Sequence, residues 1–340
     1  MNKILKVGII GAGWSASKNI SPAIDALPGV SIHAIADINK DLAQKLAGER
    51  SIPNVHENYK ELCNRDDIDF VIISVPHGLH CQYALDALNA RKHVLVEKPM
   101  ATTVEDAEKM IHLAEKQGLH LGVYFQNRFN DSTRVAKEIL DAGKLGSILS
   151  TNVSVFLKRD PPYFKSSWRG TWNLEGGSAL INQSIHAIDK MLYLLGDATT
   201  VFGLTGHHVH DIETEDNAVA CFKLKNQAFG LIQASIGTKN PIETKLTIFG
   251  TEGAMEIDMS SVKIYYNDDK SDVFDFKNET EGINAKKIKQ IAHQRVITDF
   301  ASSIIENRKP LVDGKEGLRS LKLIRGIYES NGGTVVKLTG

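Results

Sequence analysis

The stretch Leu5-Lys6-Val7-Gly8-Ile9-Ile10-Gly11-Ala12-Gly13-Trp14-Ser15-Ala16 decides the fold. Its first half is an apolar run suited to a strand covered on both faces, and its second half is a G-x-G-x-x-A turn where a strand passes into a helix. Gly11 permits the tight turn, Gly13 lets backbone approach a pyrophosphate, and Ala16 permits close helix–sheet packing. Ala12, Trp14 and Ser15 complete the turn, where a helix N-terminus offers N–H donors and a positive dipole end. Taken alone, the pattern also fits a glycine-rich turn with no ligand. Asp37 tips the balance: it closes the predicted second strand 24 residues after Gly13, near the spacing expected of a carboxylate that accepts from ribose hydroxyls. Such a carboxylate repels a 2′-phosphate, and Ile38 supplies no cation in its place. NAD is therefore favoured over NADP, with the flexible Lys40 ammonium working against that preference.

Outward from this turn, the first 125 residues alternate β-branched runs with amphipathic stretches, the pattern of parallel strands joined by crossover helices. Strands are predicted at Leu5–Ile10, Ser31–Asp37, near Val55, Asp69–Val75, His93–Glu97 and Leu119–Phe125. Helices are predicted near Ser17–Leu27, Lys40–Ala47, Tyr59–Asn64, Leu79–Ala90 and Thr103–Lys116. After Phe125 the texture changes. One helix, Asp131–Ala142, leads into strands that alternate apolar and polar residues, such as Ser150–Phe156, Ala218–Leu224, Ala228–Ala234 and Lys245–Phe249, with turn signals between them. The fold class is thus α/β: a doubly wound parallel domain over 1–125, then an α+β domain over 126–340 with an open, mostly antiparallel, meandering sheet for substrate binding and oligomerisation. A last helix, 314–329, ends at Gly332-Gly333 and is free to pack back on the first domain. An open sheet with one uncovered face invites a homodimer or homotetramer.

Composition narrows the partners. Lys+Arg 40 against Asp+Glu 41 leaves a formal charge of -1, so no global field holds nucleic acid or an anionic membrane. No apolar run reaches the ~18 residues of a span, and the leader candidate beginning at Lys3 meets the Gly-Ala-Gly turn too early. Cys63, Cys81 and Cys221 are too few and too scattered for a disulfide framework or metal knuckle, which fits a reducing, cytoplasmic setting. The cluster His207-His208-Val209-His210-Asp211 would place His208 and His210 on one strand face. It lacks further ligands at a familiar spacing and reads better as a polar hairpin end, so no metal is expected.

In open α/β sheets ligands sit beyond the carboxyl ends of the strands. Those ends here carry Pro76 and His77 with His80 beyond, Glu97-Lys98-Pro99, and Gln126-Asn127-Arg128. Pro99 restricts Lys98, so that its side chain is aimed rather than free, and a cis peptide between them is one way to do this. A solvated loop lysine is the plainer alternative. His77 and His80 either line the cofactor or cap the next helix. Further on, Gly176 to Asp189 starts a helix with Ser178 as its N-cap. Ile181, Ile185, Ile188, Leu192 and Leu195 form its buried stripe, while Asn182, His186 and Asp189 share an adjacent face. His186 is then either a structural histidine bonded to Asp189 or a proton carrier beside an orienting amide.

These residues carry a resemblance. The turn, Glu97-Lys98-Pro99, and Gly176, Gly177, His186 and Asp189 in a GG-x₈-H-x-x-D pattern resemble the glucose–fructose oxidoreductase/inositol dehydrogenase (Gfo/Idh/MocA) family over nearly the whole chain. The resemblance implies that Lys98 lies beside the nicotinamide and the reacting sugar hydroxyl, that His186 is the general acid/base, and that Asp189, Trp168 and Arg169 order the site, with no metal. Many members carry aspartate where this chain has Asn182. An amide cannot relay a proton, so His186 inherits that role and Asn182 places a hydroxyl or carbonyl. The Asn182-Gln183 pair resembles a subgroup acting on nucleotide sugars and other glycosides.

The loop Lys158 to Trp172 holds two prolines, four aromatics including Tyr163 and Trp172, and four cations including Arg169. It reads either as a packed surface loop or as a cover over a pyranose ring, its cations favouring an anionic sugar over a neutral polyol. The functional expectation is an NAD(H)-dependent oxidoreductase acting at a secondary hydroxyl or ketone of a sugar, sugar acid or nucleotide sugar. Lys98 and His186 are catalytic, and Asn127, Arg128, Tyr163, Arg169, Trp172 and Asn182 hold substrate. The alternatives are an NAD-retaining sugar lyase or glycosidase working through a transient keto-sugar, and a non-catalytic dinucleotide-binding protein.

Overall fold

The computed structural model describes residues 4–266, 270–276 and 285–338, with 285 and 286 described by backbone alone; Lys3, where the leader candidate begins, lies outside them. The chain divides into two compact units, the first comprising Met1–Gln126 and Lys289–Leu318, the second Asn127–Ile288 and Arg319–Gly340. The segment 289–318 thus belongs with the first unit, although the chain reaches it only after the second.

In the first unit β1 (Leu5–Ile10), β2 (Val30–Ala36), β3 (Asn54–His56), β4 (Phe70–Ile73), β5 (His93–Glu97) and β6 (Leu121–Tyr124) form one sheet in the order β3-β2-β1-β4-β5-β6. Every pairing is parallel. All four residues of β4 are fully buried, as an unbroken apolar run requires. The crossovers are α1 (Ser21–Asp25, entered through a wider π turn at Ala16–Ile20), α2 (Lys40–Arg50), α3 (Tyr59–Cys63), α4 (His80–Asn89) and α5 (Val104–Gln117). Side-chain caps start three of them: Asn39 accepts from Leu42 N–H at 3.2 Å, Asn58 from Lys60 N–H at 3.0 Å, and Thr103 from Asp106 N–H at 3.2 Å. Strand order reverses between β1 and β4, which opens a crevice at their carboxyl ends.

The second unit holds α6 (Asp131–Asp141), β7 (Ile148–Lys158), α7 (Ile185–Leu195), β8 (Ala198–Gly206), β9 (Asn217–Leu224), β10 (Phe229–Ser235), β11 (Gly237–Gly250), β12 (Gly253–Ile257), β13 (Ser261–Tyr266), β14 (Ser271–Asp275) and β15 (Val336–Lys337). Helix α8 (Ala285–Glu306) runs on into the first unit, and α9 (Gly314–Ser330) returns to the second. The nine-stranded sheet runs β14-β13-β12-β11-β7-β10-β9-β8-β15 and is antiparallel except where β7 pairs with β10. It is therefore not a simple meander: β7 sits between two meanders made later in the chain. α7 packs on β7 and β11, and α6 packs on β12 and β13. On β9 the buried alternate residues are Ala218, Ala220, Phe222 and Leu224, whereas Val219 and Cys221 are exposed.

Two local expectations change. The helix after Gly177 opens as a π turn over Ala179–Ser184, and Ser178 does not cap it; the Ser178 hydroxyl donates to Glu175 Oε2 at 2.6 Å. Strand β8 ends at Gly206, so His208 and His210 lie on no strand face. Their backbone N–H groups and that of Val209 converge on the Asp216 carboxylate at 2.8–2.9 Å. Burial opposes ionisation of Asp216, but these bonds hold its carboxyl below the usual range. Among the described residues no group of three or more His, Cys, Asp or Glu is placed to hold a metal. No described helix is long and apolar enough to cross a membrane.

Candidate active site

The phosphate turn follows from backbone geometry. Gly11 has φ +99°, and a Cβ there would lie 2.1 Å from Ser74 O, so no other residue fits between β1 and β4. A Cβ on Gly13 would meet nothing within 4 Å, which leaves an open approach to the turn's backbone, the cradle that a pyrophosphate needs. Ala16 is fully buried against the sheet and Trp14 is 68% exposed at the rim. The Asp37 carboxylate closes the loop from the other side, accepting from Ala12 N–H at 2.7 Å and Asn39 N–H at 2.8 Å. These residues fit an adenine dinucleotide: free backbone room for the phosphates, and an oriented acceptor for ribose hydroxyls.

The same edge holds the Lys98 loop. Ser15 donates to Glu97 Oε1 at 2.6 Å, and Lys98 N–H donates to Glu97 Oε2 at 3.2 Å. The Ser15 hydroxyl thereby ties the phosphate turn to the end of β5. Burial raises the Glu97 carboxyl above its usual range, while the Lys98 charge and the Ser15 hydroxyl pull the other way. The Lys98–Pro99 peptide is cis. The His80 side chain does not cap the following helix. Its ring is fully buried, with Nδ1 2.7 Å from Pro99 O and Nε2 2.9 Å from Val75 O, so it bridges two strand-end loops. Burial pushes its pKa down to about 4, the two carbonyls opposing that shift and the Lys98 charge adding to it. His77 lies beside it, ring centroids 5.7 Å apart and 6% exposed. Pro76 opens the short turn that carries His77.

The second unit gathers the remaining candidates. Both Asp189 oxygens take the Arg128 guanidinium, Nε at 2.8 Å and Nη2 at 2.7 Å. The two side chains are 0% and 1% exposed, so Arg128, expected at the substrate, is sealed in a structural ion pair. Asn127 O accepts the Thr133 hydroxyl at 2.8 Å, and the Asn127 side chain stays half-buried. Asn182 donates to Glu175 Oε1 at 2.5 Å and to the Tyr163 oxygen at 3.1 Å, one turn before the half-buried His186. Arg169 lies over the Tyr163 ring at 4.0 Å and the Trp168 ring at 5.0 Å. Trp172 stands apart, 43% exposed and edge-on to Tyr328 at 5.3 Å.

Sequence reasoning missed the buried carboxylates behind this cluster. Glu175 accepts from Gly170 N–H and the Ser178 hydroxyl, both at 2.6 Å. Glu215 accepts from Leu180 N–H and the Tyr328 hydroxyl, both at 2.8 Å, and burial raises its carboxyl above the usual range. An acidic residue directly before Gly176-Gly177 was the available signal for Glu175.

Comparison with known proteins agrees with this architecture. Residues 5–125 match the family described as "Oxidoreductase family, NAD-binding Rossmann fold", and residues 133–256 match "GFO/IDH/MocA C-terminal domain". The chain is similar to the uncharacterized oxidoreductase YrbE of Bacillus subtilis, 25% identical over 97% of this chain and 95% of that one. It is also similar to inositol 2-dehydrogenase of Salmonella typhimurium, 29% identical over 57% of this chain and 55% of that one. Among solved structures it resembles the WlbA dehydrogenase of Bordetella pertussis in complex with NADH and UDP-GlcNAcA, with TM-score 0.88, 25% identity and 99% of both chains covered. Since the two matched families are the two halves of one architecture and together span most of the sequence, this chain belongs to the GFO/IDH/MocA oxidoreductases and its dinucleotide is NAD.

Proposed function

We propose that this protein transfers a hydride between NAD and a secondary hydroxyl or ketone of a sugar, with sugar acids and nucleotide sugars favoured over neutral polyols. The observation that carries the reading is the join at the sheet edge: phosphate turn, ribose acid, and the Ser15–Glu97–Lys98 link stand at the carboxyl ends of β1, β2 and β5 of one parallel sheet. Bound NAD supplies the hydride acceptor. The Lys98 ammonium, aimed by Pro99 and by Glu97, polarises the substrate oxygen. His186 exchanges the hydroxyl proton, and Asn182, with Tyr163, Arg169 and Trp172, holds the sugar. The WlbA complex with NADH and UDP-GlcNAcA supports the favoured class, whereas inositol 2-dehydrogenase, by its name, supports only the wider reading of a polyhydroxylated substrate. The open sheet face, where Phe229 and Phe249 both flank Ser150 and are 66% and 43% exposed, suits a second copy of the chain in a homodimer or homotetramer. Free Cys63, Cys81 and Cys221 suit a reducing cytoplasm.

The test is a panel of sugars, sugar acids and nucleotide sugars followed by nicotinamide absorbance. At least one should generate NADH, and Lys98→Met and His186→Asn should each cut kcat by about 10²–10⁴ while NADH still binds. Product formed without net NADH would move the assignment to a lyase or glycosidase that retains its dinucleotide. Unchanged turnover in Lys98→Met would remove Lys98 from the chemistry.

A further inference from the structure

The hydrogen bonds around Tyr163 leave its hydroxyl one direction. Arg159 Nη2 lies 2.5 Å from Gln183 Oε1, and because a guanidinium only donates, the Gln183 oxygen must face it. The Gln183 NH₂ therefore faces the other way and donates to the Tyr163 oxygen at 2.8 Å. Asn182 is fixed by the same logic. Glu175, already accepting from Gly170 and Ser178, accepts again from the Asn182 NH₂, whose second hydrogen points to the Tyr163 oxygen at 3.1 Å. A phenol oxygen accepts two such bonds at most. Tyr163 is thus held as an acceptor on both lone pairs, and its own O–H hydrogen must leave the cluster.

The electrostatics say which oxygen suits it. Two guanidinium groups lie over the Tyr163 ring, Arg169 at 4.0 Å and Arg159 at 5.2 Å from the centroid. Among the described residues neither forms an ion pair with a carboxylate; Arg159 bonds to the Lys158 carbonyl and Gln183, Arg169 to the Tyr163 carbonyl at 3.3 Å. The Nε–H of each is buried without an acceptor. Two half-buried positive charges beside an outward O–H are an environment that a ligand anion would complete.

We propose that Tyr163 is a specificity residue whose O–H donates to the carboxylate of an acidic sugar, with Arg159 and Arg169 balancing the charge. This deepens the function proposed above and rests on it. The probes are matched pairs, glucuronate against glucose and UDP-glucuronate against UDP-glucose, titrated calorimetrically into the NADH-loaded protein. Wild type should bind the acidic member of a pair about ten-fold tighter or more, and in Tyr163→Phe the ratio of acidic to neutral binding should fall to near one, whatever the variant does to sugar binding in general. Replacing Tyr163 by 3-fluorotyrosine, measured near pH 6, separates donor from scaffold. The more acidic phenol donates better and accepts worse, so acidic-sugar binding should tighten, whereas a purely structural role predicts that it weakens. Equal binding of acidic and neutral members by wild type, undiminished preference in Tyr163→Phe, or weakening with fluorotyrosine overturns the inference. If neutral sugars are still oxidised in that case, the oxidoreductase reading stands; if no sugar in the panel binds or reacts, both fall.

Discussion

At the scale of single residues, the pairing of Asn182 with Glu175 shows how one side chain sets the identity of another. An aspartate at 182 would put a second buried carboxylate against Glu175 Oε1, now 2.5 Å from the Asn182 amide, and the two could not both ionise. Asn182→Asp should lower unfolding free energy by about 1–3 kcal/mol at neutral pH and should recover as the pH falls and the shared proton is taken up. The swapped pair Glu175→Gln with Asn182→Asp should restore most of the loss, which urea titration of the double-mutant cycle measures. Positions set by backbone were legible beforehand: the tight turn at Gly11, and the places of Asp37 and Lys98 just beyond the ends of β2 and β5. Glu175 and the orientation of Tyr163 were not legible, because they depend on donors and acceptors that only the folded loop brings together. Arg128 misled for a related reason: a strand-end position suggested a ligand, but its partner Asp189 lies 61 residues away.

At the scale of elements, the parallel strands were read correctly because burial on both faces leaves uninterrupted apolar runs, whereas α8 was not anticipated. It buries Ala292, Val296, Ile297 and Phe300 together with the polar His293 and Ser303, and those polar residues obscure the apolar period. The π turn at Ala179–Ser184 was equally invisible, since it alters hydrogen bonding without altering which residues are apolar: Ile181, Ile185 and Ile188 remain fully buried. His293 and His80 belong to elements packed in the same unit, and burial holds each near pKa 4 against the usual value of about 6.5. The unfolded chain therefore binds more protons between about pH 6.5 and 4, so stability is full above that window and declines through it, by up to about 3 kcal/mol for each imidazole. Equilibrium unfolding from pH 7 down to about 4.5 should show this decline, and His293→Gln should flatten it by close to one proton. An unchanged slope in that variant would mean that carboxylates alone govern the acid limb.

For the whole molecule, the second unit's sheet covers one face and leaves the other with Phe229, Phe249 and Val219 exposed. If a second copy lies there, Phe229→Glu should shift the protein to a smaller species in sedimentation while leaving NADH binding unchanged; a wild type that sediments as a monomer would contradict the assembly proposed. The return of 289–318 to the first unit has a further consequence. A Cβ on Gly122 would lie 2.7 Å from the Phe300 ring, Phe300 packs edge-on to Phe70 at 5.5 Å, and Val123 N–H donates to Val312 O at 3.0 Å. During synthesis, then, the nucleotide-binding half emerges first yet cannot close its hydrophobic interior until translation has passed residue 312. The earliest strands gain their last partners only once residues 289–312 have been made, so a nascent chain stalled before them would display a β6 edge that chaperones would have to shield.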